Sequence, residues 1–324
     1  MRKNVIGVCV AALATLAAVP FGALAQSYPA KPVTIIVPFP AGGTLDNLTR
    51  ALGQKLSENW KQPVIIDNKP GAGTMIGTEI VARSAADGYT LGMVANSFAI
   101  NPSLHDNLRY DTVKDFAPVS WVAYTPHMLV AHPDVPVKTV DDIIKAARAQ
   151  PGKYSFASFG NGTSPHIAVE MLKARAKIDV LHIPYKGQAP ALTDLLGGHV
   201  DMMFANVPDV LPHVKSGKLR AIALADDKRI GSAPDIPTFK EQGIDDFNSN
   251  SWFGVVAPAG TPADIVGQIS AEFVRVLGLP EIRQRLAEQG LEAAGTTPKE
   301  FADYLKAEMD KAAALVKSSG ASVN

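Results

Sequence analysis

Residues Val33 to Val37 read Val-Thr-Ile-Ile-Val, an unbroken β-branched run closed off by Pro38 and Pro40. A strand without polar alternation predicts burial on both faces of an α/β sheet, so the chain has to supply helices for both sides. Gly42 and Gly43 follow the prolines. Glycine has no Cβ to clash and proline stiffens a turn, so this loop can hold its backbone close to a guest. Leu45, Leu48, Leu52 and Leu56 then recur at helical spacing as far as Trp60, with Thr44 or Asp46 placed to cap that helix. The first amides of a helix have no partner within it and face the positive end of its dipole. The loop-to-helix junction therefore predicts a site for a carboxylate, phosphate or sulfate.

The same pattern returns along the chain. Pro63 to Asp67 is a short apolar strand, and Lys69 to Thr74 is a glycine turn opening a helix through Ile80 and Val81. Asp87 to Ala95 reads as a turn and a third strand, whose end carries Asn96, Ser97 and Phe98. Parallel strands gather their C-terminal ends on one edge, so the loops after Val37 and Ala95 are expected to share a cleft. Trp121 to Ala131 is extended, and Thr139 caps a helix that ends before Pro151. Tyr154 to Ser158 is a strand, Phe159 to Ser164 a polar glycine turn, and Pro165 to Lys173 a helix with proline in its first turn. Strand, glycine turn and helix N-terminus thus occur once in each half, as a ligand clamped between two lobes requires. Strands and helices alternate on to Ala225, and Ser251 to Ala257 is a second crossing that returns the chain to the first lobe. Two helices complete it, one marked by Ile265, Ile269, Phe273 and Leu277, the other by Phe301, Leu305 and Met309.

Charge and composition narrow the function classes. The 324 residues carry 31 basic and 31 acidic side chains, so no global field recruits nucleic acid or an anionic membrane. Attraction for an anion has to be local. Residues 1–25 show a basic start, an apolar middle and Ala23-Leu24-Ala25, the pattern of a cleavable secretory signal peptide, which predicts export to the periplasm. The single cysteine, Cys9, lies inside that apolar run, so the mature chain is expected to have neither disulfides nor thiolate metal sites. Its length exceeds the usual single domain and fits two lobes.

Motifs for chemistry are weak. Gly71 to Gly77 approaches a dinucleotide fingerprint, but Ile76 stands where the third glycine belongs, and neither glycine turn carries the Gly-Lys-Ser/Thr of a P-loop. No cofactor is predicted. His105, His127, His132, His166, His182, His199 and His213 are scattered without metal-ligand spacing, and no Gly-x-Ser-x-Gly elbow is present, so neither a metal nor a catalytic residue is assigned. His166 stands apart, because it lies in the first helical turn after Gly160-Asn161-Gly162-Thr163. It reads equally as a ligand contact and as a histidine hydrogen-bonded within its lobe. The plainer reading of Thr44 and Asp46 is helix capping, which is compatible with positioning a ligand. Tyr185 followed by Lys186 and Gly187 offers a phenol and an ammonium at another strand-to-helix turn, and reads equally as a packed tyrosine beside a solvated lysine.

Taken together the chain resembles the Bug family, the extracytoplasmic solute receptors of tripartite tricarboxylate transporters. The matching stretches include Val37-Pro-Phe-Pro-Ala-Gly-Gly with Asp46 and Arg50, Asn68-Lys-Pro-Gly-Ala-Gly, Asp87-Gly-Tyr-Thr-Leu, Gly162-Thr163 with His166, Pro184-Tyr-Lys-Gly, Gly197-Gly-His-Val-Asp201 and Gly217-Lys-Leu-Arg220. The resemblance implies an α/β, two-lobed periplasmic binding protein of the type II kind, each lobe a mixed sheet flanked by helices with a cleft between them. Lobe 1 is expected to hold residues 26–124 and 250–324, and lobe 2 residues 125–249, with hinges near Tyr124 and Ser251. It implies that Phe39, Ala41, Gly42, Gly43, Thr44 and Asp46, with Asn96, Ser97 and Phe98, hold one side of a small carboxylate. Gly160, Asn161, Gly162, Thr163 and His166, with Tyr185 and Asn206, close over the other. The implied partners are that ligand and the permease subunits of a membrane transporter, with the receptor a monomer. Two other functions fit the same residues: a carboxylate sensor serving a signalling partner, and a secreted enzyme acting on a carboxylic acid with His166 as base.

Overall fold

The computed structural model describes residues 28–319, so the signal peptide and Cys9 lie outside the described residues. Val33–Val37 is strand β1, and its side chains serve both faces of the sheet. Val33, Ile35 and Val37 join one core with the leucines of α1 (Thr44–Trp60), while Ile36 joins another on the opposite face. This is why the run shows no alternation. Leu45, Leu48, Leu52 and Leu56 are all buried on one stripe of α1, and burying a leucine fully stabilises by about 1.5–3 kcal/mol.

β2 (Val64–Asn68) and β3 (Thr90–Ala95) flank β1 in parallel, with α2 (Met75–Ala82) between them in the chain. Helix α3 (Asn96–Leu104) follows β3 without a loop. The long strand β4 (Phe116–Ala131) then crosses the molecule. Beyond it come α4 (Val140–Ala149), β5 (Ser155–Ser158), α5 (Ser164–Ala176), β6 (Leu181–Pro184), α6 (Gln188–Leu196), β7 (Met202–Asn206), α7 (Val207–Lys215) and β8 (Arg220–Leu224). β9 (Asn250–Pro258) returns, followed by α8 (Ala263–Leu277), α9 (Pro280–Glu288), β10 (Glu292–Ala293) and α10 (Pro298–Ser319).

One sheet runs in the order β2-β1-β3-β9-β4-β7-β5-β6, with β8 and β10 also paired to β4. Strand β4 joins the two lobes: Phe116 to Pro126 pair antiparallel with β9, and His127 to Ala131 pair with β7. The crossings lie side by side, with Tyr124 opposite Trp252 and Thr125 opposite Ser251. Separate apolar cores sit under each lobe, the second built on Leu129, Phe156, Phe204 and Phe239 on one face and on Met128, Met203 and Leu195 on the other.

Three local expectations change. The N-cap of α1 is Gly43, with no side chain bonded to the helix start, so neither Thr44 nor Asp46 caps it. Asn96, Ser97 and Phe98 form the first turn of α3 rather than a strand end, a helix that Pro102 inside it concealed. A third C-terminal helix, α9, was hidden because only Ile282 and Leu286 of it are buried and most of the rest is charged or polar.

Candidate functional site

The loop from Pro38 to Gly43 is tied down from behind. Gly42 takes a φ of +88°, a conformation that glycine adopts without steric cost. Its N–H donates to Asp46 Oδ2 at 2.9 Å. The same carboxylate accepts Arg50 Nε at 3.0 Å and Asn68 Nδ2 at 2.9 Å, and Asn68 also donates to the Phe39 carbonyl at 3.0 Å. Burial opposes ionisation of Asp46, but the hydrogen bonds from Arg50, Gly42 and Asn68 outweigh it and hold its carboxyl below the usual range. Asp46 therefore shapes the loop and points away from the cleft.

At the start of α3, Asn96 Oδ1 accepts the Trp252 N–H at 3.0 Å, and the Ser97 hydroxyl lies 2.8 Å from Thr74 Oγ1. Phe98 turns the other way into the core, edge-on to Phe116 with ring centroids 5.0 Å apart.

Lobe 2 builds its loop from neutral groups. Thr163 Oγ1 donates to the Gly160 carbonyl at 2.6 Å, and the Gly160 N–H donates to Ser158 Oγ at 3.2 Å. Ser158 Oγ in turn lies 2.6 Å from His182 Nε2, and His182 stacks on His166 with centroids 4.3 Å apart. His166 Nδ1 accepts the Gly162 N–H at 3.3 Å, so this imidazole braces the loop from within. Desolvation lowers its pKa and pushes that of His182 down to about 3, keeping both rings neutral. Gly162 has φ +76°, and a Cβ there would stand 2.6 Å from Asn101 Oδ1 across the cleft. Tyr185 sends its hydroxyl to Asp194 Oδ2 at 2.6 Å; it borders a neighbouring groove together with Gly160 and Asn161.

Both loops meet at one partly open cavity between the lobes. Of the residues expected from sequence, Phe39, Gly43, Thr44, Asn96, Ser97, Thr163 and Asn206 line it. Ala41, Gly42, Asp46, Phe98, Gly160, Asn161, Gly162, His166 and Tyr185 do not. The wall also includes Ser164, Gln188 and Ser251, which the sequence reading did not assign to the ligand. Gln188 carried a signal that could have found it, since it opens α6 directly after the Pro184-Tyr-Lys-Gly187 turn, a fourth strand-to-helix junction. Behind Ser251, His127 is fully buried at the crossing, its Nδ1 2.8 Å from Ser249 Oγ and its Nε2 3.0 Å from Ser251 Oγ. Burial pushes its pKa down to about 3.

Among the described residues no aspartate, glutamate, lysine, arginine or histidine lines the cavity. Its polar surface consists of hydroxyls, carboxamides and the starts of α1, α3 and α5. Among the described residues no group of three or more His, Cys, Asp or Glu is placed to hold a metal. The anion expected at the start of α1 is supplied by the chain itself. Thr44 N and Oγ1 both donate to Asp209 Oδ2, at 2.9 and 2.7 Å, across the cleft from α7. Gln188 Nε2 donates to the same oxygen at 2.5 Å. Desolvation pushes the Asp209 carboxyl up to about 6 although the Thr44 bonds favour its charge.

Residues 48–321 match the sequence profile of the tripartite tricarboxylate transporter family receptors. The solved structure of the periplasmic binding protein BugD is 33% identical, with a TM-score of 0.88 over 91% of this chain and 99% of that one. A Rhodopseudomonas palustris protein solved with adipate is 32% identical, with a TM-score of 0.88 over 91% of this chain and 99% of the other. MatC from Rhodopseudomonas palustris, solved with bound malate, is 29% identical, with a TM-score of 0.85 over 89% of this chain and all of that one.

Proposed function

We propose that this chain, which belongs to the tripartite tricarboxylate transporter receptor family, captures a small carboxylate between its lobes and presents the closed form to permease subunits in the membrane. The observation that carries this reading is the shared cavity, where the starts of α1, α3 and α5 meet and which, among the described residues, no charged side chain lines, the Asp209 carboxylate holding Thr44 from a neighbouring groove. Amides and hydroxyls held in a desolvated cleft bind a carboxylate without a fixed counter-charge, and burial strengthens each bond. Adipate and malate in two relatives support the ligand class.

Lobe 1 comprises residues 26–124 and 250–324, lobe 2 residues 125–249, and the hinge lies where β4 and β9 cross beside Tyr124 and Ser251. Such a pair of adjacent antiparallel strands can bend together while the two cores stay rigid. In this reading the lobes part to admit a ligand and close on it reversibly. Phe39, Gly43, Thr44, Asn96, Ser97, Thr163 and Asn206 are assigned to the ligand. The remaining residues of both loops hold the backbone in shape, and His166, turned into its own lobe, is not a base. Binding without turnover in the periplasm, after removal of residues 1–25, completes the reading.

A thermal-shift panel of mono-, di- and tricarboxylates tests it. A ligand present at about 100 times its dissociation constant adds about 2.7 kcal/mol of stability. At least one acid is expected to raise the unfolding temperature and to be recovered unchanged; a panel with no response overturns the proposal.

A further inference from the structure

The lobes are bonded to each other outside the crossing of β4 and β9. Asp209, in the first turn of α7, accepts the Thr44 N–H and hydroxyl on a single carboxylate oxygen, although the two residues belong to opposite lobes. Gln188 donates to that same oxygen and is itself held, since its Oε1 accepts the Asn206 N–H at 3.1 Å. The carboxylate is thus fixed from its own lobe and reaches across to the other. Hydrogen bonds to an ionised acceptor are the strong kind, and they are directional. The other approaches of the lobes are of a different character. A Cβ built on Gly187 would stand 2.5 Å from Pro40 Cδ, and one on Gly73 would stand 2.6 Å from the Asn161 carbonyl oxygen, so bare backbone lets the surfaces fit there but offers little area to hold them. Ile100 and Ala312 share a small apolar cluster with Ile167 of α5, a non-directional contact that a small sliding motion preserves. Thr44 and Gln188 both line the cavity, whereas Asp209 stands behind them on the neighbouring groove.

We propose that Asp209 is a latch: by taking the Thr44 amide and hydroxyl across the cleft it holds the lobes together through the chain's own groups, and a bound acid leaves only when those bonds break. Asp209 touches no ligand in this scheme. It is a positioning residue that biases the lobe equilibrium toward the closed form, so part of the population closes before any ligand arrives. The latch rests on the receptor reading above, since lobes that never part need none, and deepens it by naming the group that sets how long cargo is retained.

Residues 26–324 contain no cysteine, so a pair introduced by Glu58→Cys on α1 and Ala174→Cys on α5, both exposed, takes two spin labels and reads the separation of the lobes. Pulsed electron paramagnetic resonance is run at pH 7.5 on protein unfolded and refolded to strip any acid carried through purification, with nothing added. The otherwise unaltered chain is expected to show a short-distance population, and Asp209→Ala to lower the ratio of short to long distances about tenfold or more, as the loss of two bonds to a charged acceptor requires. A merely structural role would lower the unfolding midpoint and leave that ratio alone. Should Asp209→Ala fail to fold, Asp209→Asn, which offers a weaker acceptor to Thr44, is expected to lower the ratio about threefold. No short-distance population in the unaltered chain, or an unchanged ratio in the folded variant, overturns the latch. Because these distances are read without ligand, that result leaves the receptor reading to the thermal-shift panel. With any acid the panel finds, dissociation from Asp209→Ala is expected to be about tenfold faster; an unchanged rate also overturns the latch while the acid's binding upholds the receptor.

Discussion

The loops after β1 and β5 share one plan, strand, glycine turn and helix start, yet they are braced by opposite chemistry. The first leans on a charged group, since the carboxylate of Asp46 gathers Gly42, Arg50 and Asn68 behind the turn. The second leans on neutral ones, Ser158, Thr163 and the stacked pair His166 and His182. The contrast teaches how two loops around one cavity can be braced without a charged side chain lining it. Lobe 1 can afford an ion pair because it sits on the far side of the loop, partly in solvent, where water screens it. Lobe 2 packs its brace inside the lobe, where an ionised group would have to be paired.

The largest expected effect comes from removing the charged brace. Asp46→Ala strands the Gly42 amide and frees Asn68 from one of its bonds, and hydrogen bonds to a charged group are each worth about 1.5–3 kcal/mol. We expect a loss of about 3 kcal/mol in urea unfolding and at least tenfold weaker carboxylate binding. Ser158→Ala, the matching change in lobe 2, removes bonds between neutral groups and should cost about 1 kcal/mol. Equal losses in the two variants would break the comparison.

Acid separates the braces by a second route. His127, packed edge-on against Phe159 of the second loop, is held neutral with a pKa of about 3 against an ordinary value of 6.5. A base whose pKa is depressed by folding contributes stability that is complete above pH 6.5 and is lost as pH falls from there toward 3. At pH 5 the loss from His127 is about 2 kcal/mol, and His182 shifts in the same direction. Asp209, with its carboxyl pushed up to about 6, works oppositely: it gains stability as pH falls from 6 toward 3.8. Asp46, lowered from 3.8, keeps its brace until the pH drops below that value. Between pH 6.5 and 4 the second loop should therefore loosen while the first holds. Unfolding free energies at pH 7.5 and 5, compared between wild type and His127→Gln, isolate the histidine; identical pH slopes would sink the assignment.

How much of this could be read from the chain depends on the range of the forces involved. The β1 run, the leucine stripe of α1 and the glycine turns are local patterns, and each appears in the structure where the sequence places it. Helix α3 was not legible, because its first turn, Asn96 to Ile100, is buried all round and shows no amphipathic stripe. The roles of Asp46 and Asp209 were illegible for a different reason. Both are acidic residues in the first turn of a helix, where the dipole favours them, so one sequence pattern describes both. Asp46 finds its partners on its own lobe, while Asp209 finds Thr44, 165 positions away. Only the juxtaposition of the lobes distinguishes a loop brace from a contact across the cleft.

The smallest effect, and the sharpest on the comparison, comes from the glycines themselves. Gly43 has an extended backbone, with φ −87° and ψ 171°, and a Cβ built there finds nothing within 4 Å. Gly162 has a positive φ, and a Cβ there strikes Asn101 across the cleft. The first glycine therefore leaves room for a guest, whereas the second leaves room for the opposite lobe. Valine at position 43 suits that backbone and projects into the cavity, so the free protein should unfold at its wild-type midpoint while carboxylate affinity falls about tenfold, equivalent to about 1.4 kcal/mol. Valine at position 162 has to bear about 1–2 kcal/mol of left-handed strain as well as the clash, so stability and binding should both fall. Melting curves and titrations on the pair decide the matter. If Gly43→Val binds as wild type does, the first loop faces away from the ligand; if it also melts early, the glycine serves the fold and the two positions are alike.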